Sequence, residues 1–202
     1  MSTLRINSER LHNRMEMLAK IGARPDGGVC RLAFSQLDLD GRTYVRDLME
    51  EAGLEVRIDA VGNLFGIWHS TNSKPALMVG SHTDTVATGG QYDGSLGVLA
   101  ALEAVETILE EESGSQQTLI VASFVNEEGV RFMPDMMGSL YFTGELSLAQ
   151  VRSSEDSQGI SIGQELDRLS YGGTDSLDDI PVGAFLELHI EQGPVLEEEN
   201  LE

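Results

Sequence analysis

Lysine is nearly missing from this chain: Lys20 and Lys74 are the only two in 202 residues. Basic residues of both kinds number 13 against 34 acidic ones, for a net charge of −21. The excess is uneven, about −2 over residues 1–100 and −19 over residues 101–202. Such a surface repels phosphate backbones and anionic headgroups, which excludes nucleic acid and membrane surfaces as expected partners. Cysteine is limited to Cys30, so no internal disulfide can form and the thiol reads as a small buried hydrophobe. No apolar run approaches the roughly 20 residues of a membrane span. The opening stretch, MSTLRINSERLHNRMEMLAKIG, has no continuous apolar segment of the secretory kind. A cytoplasmic setting is therefore the default expectation. There is also no internal repeat and no low-complexity tract.

What is present reads as an α/β domain. Hydrophobic residues make up 41% of the chain, ample for one core. Ile6 to Ile21 has a helical apolar stripe, and Pro25-Asp26-Gly27-Gly28 follows as a loop. Gly41 to Gly53 reads as a second helix, with Asp40 as its cap and Gly53 as its stop. The segment Gln36 to Asp47 partly mimics a calcium loop, but Gln36 at its first position and Asp47 at its last argue for the helix entry. Leu54–Ile58 and Asn63–His69 read as strands. Ala76–Gly80 is a short buried strand, followed by a polar loop and a long helix from about Gly94 to Glu112. In that helix Leu96, Leu99, Leu102, Val105 and Ile108 form one stripe. Thr118–Val125 is another apolar strand, Ser147–Val151 and Ser161–Leu169 are short serine-opened helices, and Ala184–Ile190 alternates as a strand. A last helix after Gly193-Pro194 is expected to run to the end of the chain. This order fits a mixed or mostly parallel sheet with helices on both faces.

Three of the apolar strands end in residues that packing does not ask for: His82 with Asp84, Glu127 with Glu128, and His189 with Glu191. Asp93, just before the long helix, reads equally as an N-cap or as a metal ligand. Crevices beyond the carboxyl ends of parallel strands are where α/β folds place chemistry. Two imidazoles and several carboxylates suit zinc or a similar divalent ion. A carboxylate pair could instead do acid–base work without a metal, as in glycosidases. His12 has no nearby ligand-like partner and reads as surface or half-buried, and His69, at an alternating strand end, reads as solvent-facing.

The motifs Gly80-Ser-His-Thr-Asp-Thr-Val86, Gly89-Gly90, Tyr92-Asp-Gly94, Asn126-Glu-Glu-Gly129 with Arg131-Phe132, and His189-Ile-Glu-Gln-Gly-Pro194 carry a resemblance, as does Asp59-Ala-Val-Gly-Asn63. Together they resemble the N-carbamoyl-amino-acid hydrolases, allantoate amidohydrolases and ureidopropionases. These form a branch of the dinuclear metallo-aminoacylase and carboxypeptidase superfamily. The resemblance implies a zinc-exopeptidase-like catalytic domain with two divalent ions, zinc or manganese, cobalt or nickel. His82 and His189 would hold one ion, Asp93 would bridge the pair, and Glu128 would hold the second. Asp84 would steady His82, Glu127 would be the general base, and Gln192 would touch the substrate. The Asp93–Gly94 peptide is expected to be cis.

Members of that family are about twice as long. Residues 1–202 would then be the N-terminal portion of the catalytic domain, without the lid and dimerisation domain or the C-terminal return segment. A further metal-binding histidine and a carboxylate-binding arginine would lie in the missing parts. The expected activity is hydrolysis of linear C–N bonds in N-carbamoyl or ureido acids, in a homodimer when complete. Two alternatives are an aminoacylase or dipeptidase of the same superfamily, and a non-catalytic metal-binding remnant. On its own the 202-residue chain is expected to be inactive or nearly so.

Overall fold

A computed structural model describes residues 4–72, 74–111 and 115–201 of the protein. Each apolar period forms the element that it demands. Helix α1, Ser8–Lys20, is opened by Asn7, whose side chain accepts from the Arg10 N–H. Helix α2, Gln36–Glu51, begins earlier than expected: its cap is Ser35, which accepts from Asp38 N–H, and Asp40 lies inside the first turns. Asp38 accepts from the Phe34 N–H in return, at 2.8 Å, so the two side chains bracket the helix start. The calcium-like stretch is therefore helix. Gly53 does end this unit, at a φ of +77°.

Strands β1, Glu55–Ile58, and β2, Leu64–Trp68, form an antiparallel hairpin. Strand β3, Ala76–His82, leads into helix α3, Ser95–Leu109, and strand β4, Leu119–Phe124, follows. Glu112, the expected end of the long helix, lies outside the described residues. Short helices come next: α4 (Met137–Phe142), α5 (Leu148–Ser153) and α6 (Ile162–Leu169). Ser147 and Ser161 open the last two, each in a reciprocal capping pair with a glutamine three residues on. Strand β5, Val182–Leu186, and helix α7, Val195–Glu199, complete the order. Helix α7 does not run on as expected. Asn200 takes a left-handed conformation and closes the last turn.

The sheet order is β1-β2-β4-β3-β5. β1, β2 and β4 are antiparallel, while β4, β3 and β5 are parallel, so the sheet is mixed. β4 is central and every one of its residues is buried, as a strand covered on both faces requires. One face packs on α1, α2 and α3 through Leu18, Val45, Met49, Leu99, Leu102 and Val105. Each such aliphatic side chain contributes about 1.5–3 kcal/mol by leaving water. The other face packs Phe65, Ile67, Met78 and Ile120 against Phe142 of α4 and Leu177 and Ile180 of the loop before β5. A third cluster around Phe34, Phe132, Val151 and Leu166 supports the loop after β4. The three parallel strands thus present their carboxyl ends along one rim.

Candidate metal centre

On that rim the structure brings His82, Asp93 and His189 together. One ligand-type atom from each lies within 4.8 Å of the others, the one such trio among the described residues. His82 Nε2 is 3.8 Å from Asp93 Oδ1, and His189 Nε2 is 3.2 Å from the same oxygen. The two imidazoles stack with centroids 5.8 Å apart.

The backbone settles which nitrogen faces inward. His82 Nδ1 is 2.9 Å from the Asp84 carbonyl, and His189 Nδ1 is 2.9 Å from the Ile190 carbonyl. A carbonyl only accepts, so each Nδ1 carries the proton and each Nε2 offers its lone pair to the centre. His82 Nε2, Asp93 Oδ1 and Glu128 Oε1 are all buried without a hydrogen-bond partner. Three orphaned acceptors, with no donor among them, fit a cation, because buried polar atoms are otherwise almost always paired. The donor set of two imidazoles and a carboxylate suits zinc.

Asp93 reaches this point through a turn that only glycine permits. Gly94 has φ +59° and ψ −44°, and Ser95 N–H donates to the Asp93 carbonyl at 2.5 Å. This is a γ-turn of the rare positive-φ kind. It accounts for two departures from expectation. The Asp93–Gly94 bond is trans, the one cis peptide among the described residues being Met133–Pro134. Asp93 also makes no cap bond to α3, since Gly94 occupies the cap position. Its carboxylate is free to face the histidines.

Glu127 and Glu128 arrive from β4 through Asn126, whose left-handed φ of +48° turns the chain. Asn126 Nδ2 donates to the Phe132 and Pro134 carbonyls and ties the following loop down. Glu127 Oε2 stands 3.4 Å from His82 Nε2. Glu128 lies outside the close trio, although its Oε1 is one of the orphaned atoms. Burial pushes both carboxyl groups above the usual carboxylate range. Asp84 and Glu187 add to the rise at Glu127, with His82 opposing it, and Asp93 adds to it at Glu128. At His82 burial acts downward, but Asp84, Glu127 and Glu128 outweigh it and the imidazole is raised.

Asp84 steadies the site differently from expectation. The atom holding His82 is its backbone carbonyl, while its carboxylate stands 3.9 Å from Nδ1. That carboxylate instead accepts the N–H groups of Glu127 and Glu128, at 3.2 and 3.3 Å. One residue thus ties the ends of β3 and β4. Gln192, expected against substrate, donates to Asp93 Oδ2 at 2.6 Å. His189 sits three residues beyond β5 rather than at the strand's end. His12 pairs with Glu16 and His69 with Glu55, both on the surface.

The Asp59–Asn63 motif is a brace. Asp59 accepts from the N–H groups of Val61 and Asn63, and Asn63 joins Val125 N–H to the Gly138 carbonyl. Two buried arginines went unread in the sequence. Arg42 donates to the Gly62, Ser123 and Phe124 carbonyls and to the Tyr171 hydroxyl. Arg31 lies behind His82 and Asp93. Guanidinium groups satisfied by carbonyls leave no spacing pattern to find.

The family model for peptidase family M20/M25/M40 matches residues 78–202. The chain is 38% identical over 197 residues to an N-carbamoyl-L-amino-acid amidohydrolase of Rhizobium meliloti, covering 97% of this chain and 47% of the relative. It is 40% identical over 186 residues to an allantoate amidohydrolase of Bacillus subtilis (strain 168), covering 91% and 45%. Among solved structures, an amidase of the hydantoinase/carbamoylase family from Burkholderia multivorans superposes with a TM-score of 0.92. That comparison has 39% identity and covers 98% of this chain and 48% of that one. The chain thus spans about half the length of the relatives it matches. Since the match begins within β3 and takes in each residue of the trio, the chain belongs to peptidase family M20/M25/M40.

Proposed function

We propose that this chain is the catalytic-domain portion of a metal-dependent amidohydrolase that cleaves linear C–N bonds in small N-carbamoyl or ureido acids. The observation that carries the reading is the set of orphaned acceptors, His82 Nε2, Asp93 Oδ1 and Glu128 Oε1, with the Glu127 carboxylate 3.4 Å from His82 Nε2. The names of the relatives supply the substrate class. His82, Asp93 and His189 would hold one divalent ion, and Glu128 would contribute to a site for a second. When bound, the ions supply the Lewis acidity that lets water lose a proton at neutral pH and polarises the scissile carbonyl.

The protein's own groups do the rest. Glu127 accepts the proton from the attacking water and delivers it to the departing nitrogen. Its side chain is about one-third exposed and stands 3.4 Å from His82 Nε2, so it reaches both the solvent side and the centre. The Asp84 carboxylate, by accepting the Glu127 and Glu128 N–H groups, fixes the backbone from which both carboxylates project. Gln192 steadies Asp93 through Oδ2, which leaves Oδ1 turned inward, and offers the rest of its carboxamide to the substrate. The homodimer and lid belong to the further length that the relatives possess.

Glu127→Gln tests the reading in a protein that carries this chain together with that further length. Ammonia release from N-carbamoyl amino acids and allantoate should fall by at least about a hundredfold, the scale of general base catalysis, while bound zinc stays unchanged. Turnover in the variant near that of the parent removes Glu127 from the base role. Faster cleavage of an N-acetyl amino acid or a dipeptide than of the carbamoyl substrates would replace the substrate class with that of an aminoacylase or dipeptidase.

A further inference from the structure

Arg31 is one of the largest fully buried side chains, at 1% exposure, and every hydrogen bond it donates goes to a neutral acceptor. Nε donates to the Thr83 carbonyl at 3.0 Å and Nη2 to Ser95 Oγ at 2.8 Å. Nη1 reaches the Leu18 and Ile21 carbonyls at 3.1 and 2.9 Å. Its backbone is locked too, with Arg31 N–H on Thr85 Oγ1 and Thr85 N–H on the Arg31 carbonyl. α2 leaves room for the side chain at Gly41, where a Cβ would stand 3.0 Å from Arg31 Cδ. Burial lowers its pKa to about 10, so it stays cationic at neutral pH.

The acceptors define what this cation does. Thr83 directly follows His82, and Ser95 closes the γ-turn that presents Asp93. A guanidinium is planar and its nitrogens keep a fixed separation. Bonded to Thr83 on one arm and Ser95 on another, it therefore fixes the spacing of the two segments that carry His82 Nε2 and Asp93 Oδ1. The third arm anchors that assembly to the end of α1. Positive charge by itself would oppose a second cation nearby, so the contribution has to be geometric. We propose that Arg31 is a positioning residue that sets the spacing of His82 and Asp93 and thereby the affinity of the site for its ion. The inference rests on the metal-centre reading given above.

The test is zinc affinity, measured on the metal-stripped 202-residue chain by competition with a chromophoric chelator. Circular dichroism and urea unfolding identify a temperature at which each variant is folded. Arg31→Lys keeps the charge and loses the fork, since an ammonium has all its donors on one atom. It should weaken zinc binding by about 10–100-fold, the usual cost of losing a group that orients a ligand. Ser95→Ala removes one arm and should weaken binding less. The double variant should be no worse than Arg31→Lys, because one unit is lost either way. A purely structural arginine lowers stability in urea and leaves zinc affinity within about twofold, and that result overturns the proposal. Multiplying effects in the double variant also overturn it. Should Arg31→Lys fail to fold, Ser95→Ala decides alone, parental affinity there being fatal. His82→Ala separates the two readings. A parent chain that binds no zinc, or binds it equally well without His82, defeats the metal centre and this inference together. Zinc that is lost in His82→Ala but kept in Arg31→Lys defeats the Arg31 role only.

Discussion

Gly94→Ala probes the turn that presents Asp93. An alanine forced into the conformation found there, φ +59° and ψ −44°, costs about 1–3 kcal/mol. Its Cβ would also stand 2.4 Å from His82 Nε2 and 2.5 Å from Cδ2 and Cε1, pressed on the ring at its ligand end. His82 is 1% exposed and held at Nδ1, so the ring has no room to retreat. Overpacking of this kind costs about 1–3 kcal/mol. The expected loss is therefore about 2–6 kcal/mol in urea unfolding of the metal-free protein. Zinc affinity should fall by at least about tenfold because a ligand is displaced. Gly53→Ala is the matched control. Its φ is +77°, yet a Cβ there meets nothing within 4 Å. It should cost only the conformational part, about 1–2 kcal/mol, with zinc binding untouched. If Gly94→Ala matched Gly53→Ala in stability and bound zinc like the parent, the tight contact between the turn and the imidazole would be refuted.

Two further outcomes follow from the same geometry. The 202-residue chain should bind one zinc ion tightly through His82, Asp93 and His189, with His189→Ala abolishing that binding and turnover near zero in the parent; two tight ions per chain by elemental analysis would contradict it. Asp38 is fully buried, and burial pushes its carboxyl up to about 6 despite Arg42 and Arg31 nearby. Because the folded state holds that proton more tightly than the unfolded state, stability from this group falls as pH rises from about 4 to 6 and is level above. Asp38→Asn should remove that part of the slope in urea titrations across pH 4–7, and an unchanged slope would show that Asp38 does not titrate there.

Much of the framework was legible because period and cap chemistry act locally. Ser147 and Ser161 open helices for the reason their hydroxyls suggest, and β4 reads as buried because it is apolar throughout. His82 and His189 stood out because no packing role asks for an imidazole at a strand end, whereas Asp93 read equally as a cap and joined them only through the resemblance. What was hidden depends on distant partners. Asp40 looked like a helix entry cap, but Ser35 takes that role, and Gly41 lies inside α2 where a Cβ would press on Arg31. α4 starts from Met136 in a left-handed conformation, which no sequence rule assigns to methionine. The carboxylate of Asp84 serves two backbone N–H groups more than 40 positions away. The buried arginines answer carbonyls, which every residue has, and so leave no signature.

β5 lies at the edge of the described sheet, hydrogen-bonded on one side only, to β3. That edge carries His189 three residues downstream, while Asp93 stands just before α3, on the turn that follows β3. An ion held by both would close a loop of almost a hundred residues, the kind of tether that restrains an unfolded chain most strongly. Fraying of β5 and escape of the ion then become one linked equilibrium. Amide exchange along Val182–Leu186 should slow as zinc is added, so that exchange rates on an edge strand can be read as a metal-binding isotherm.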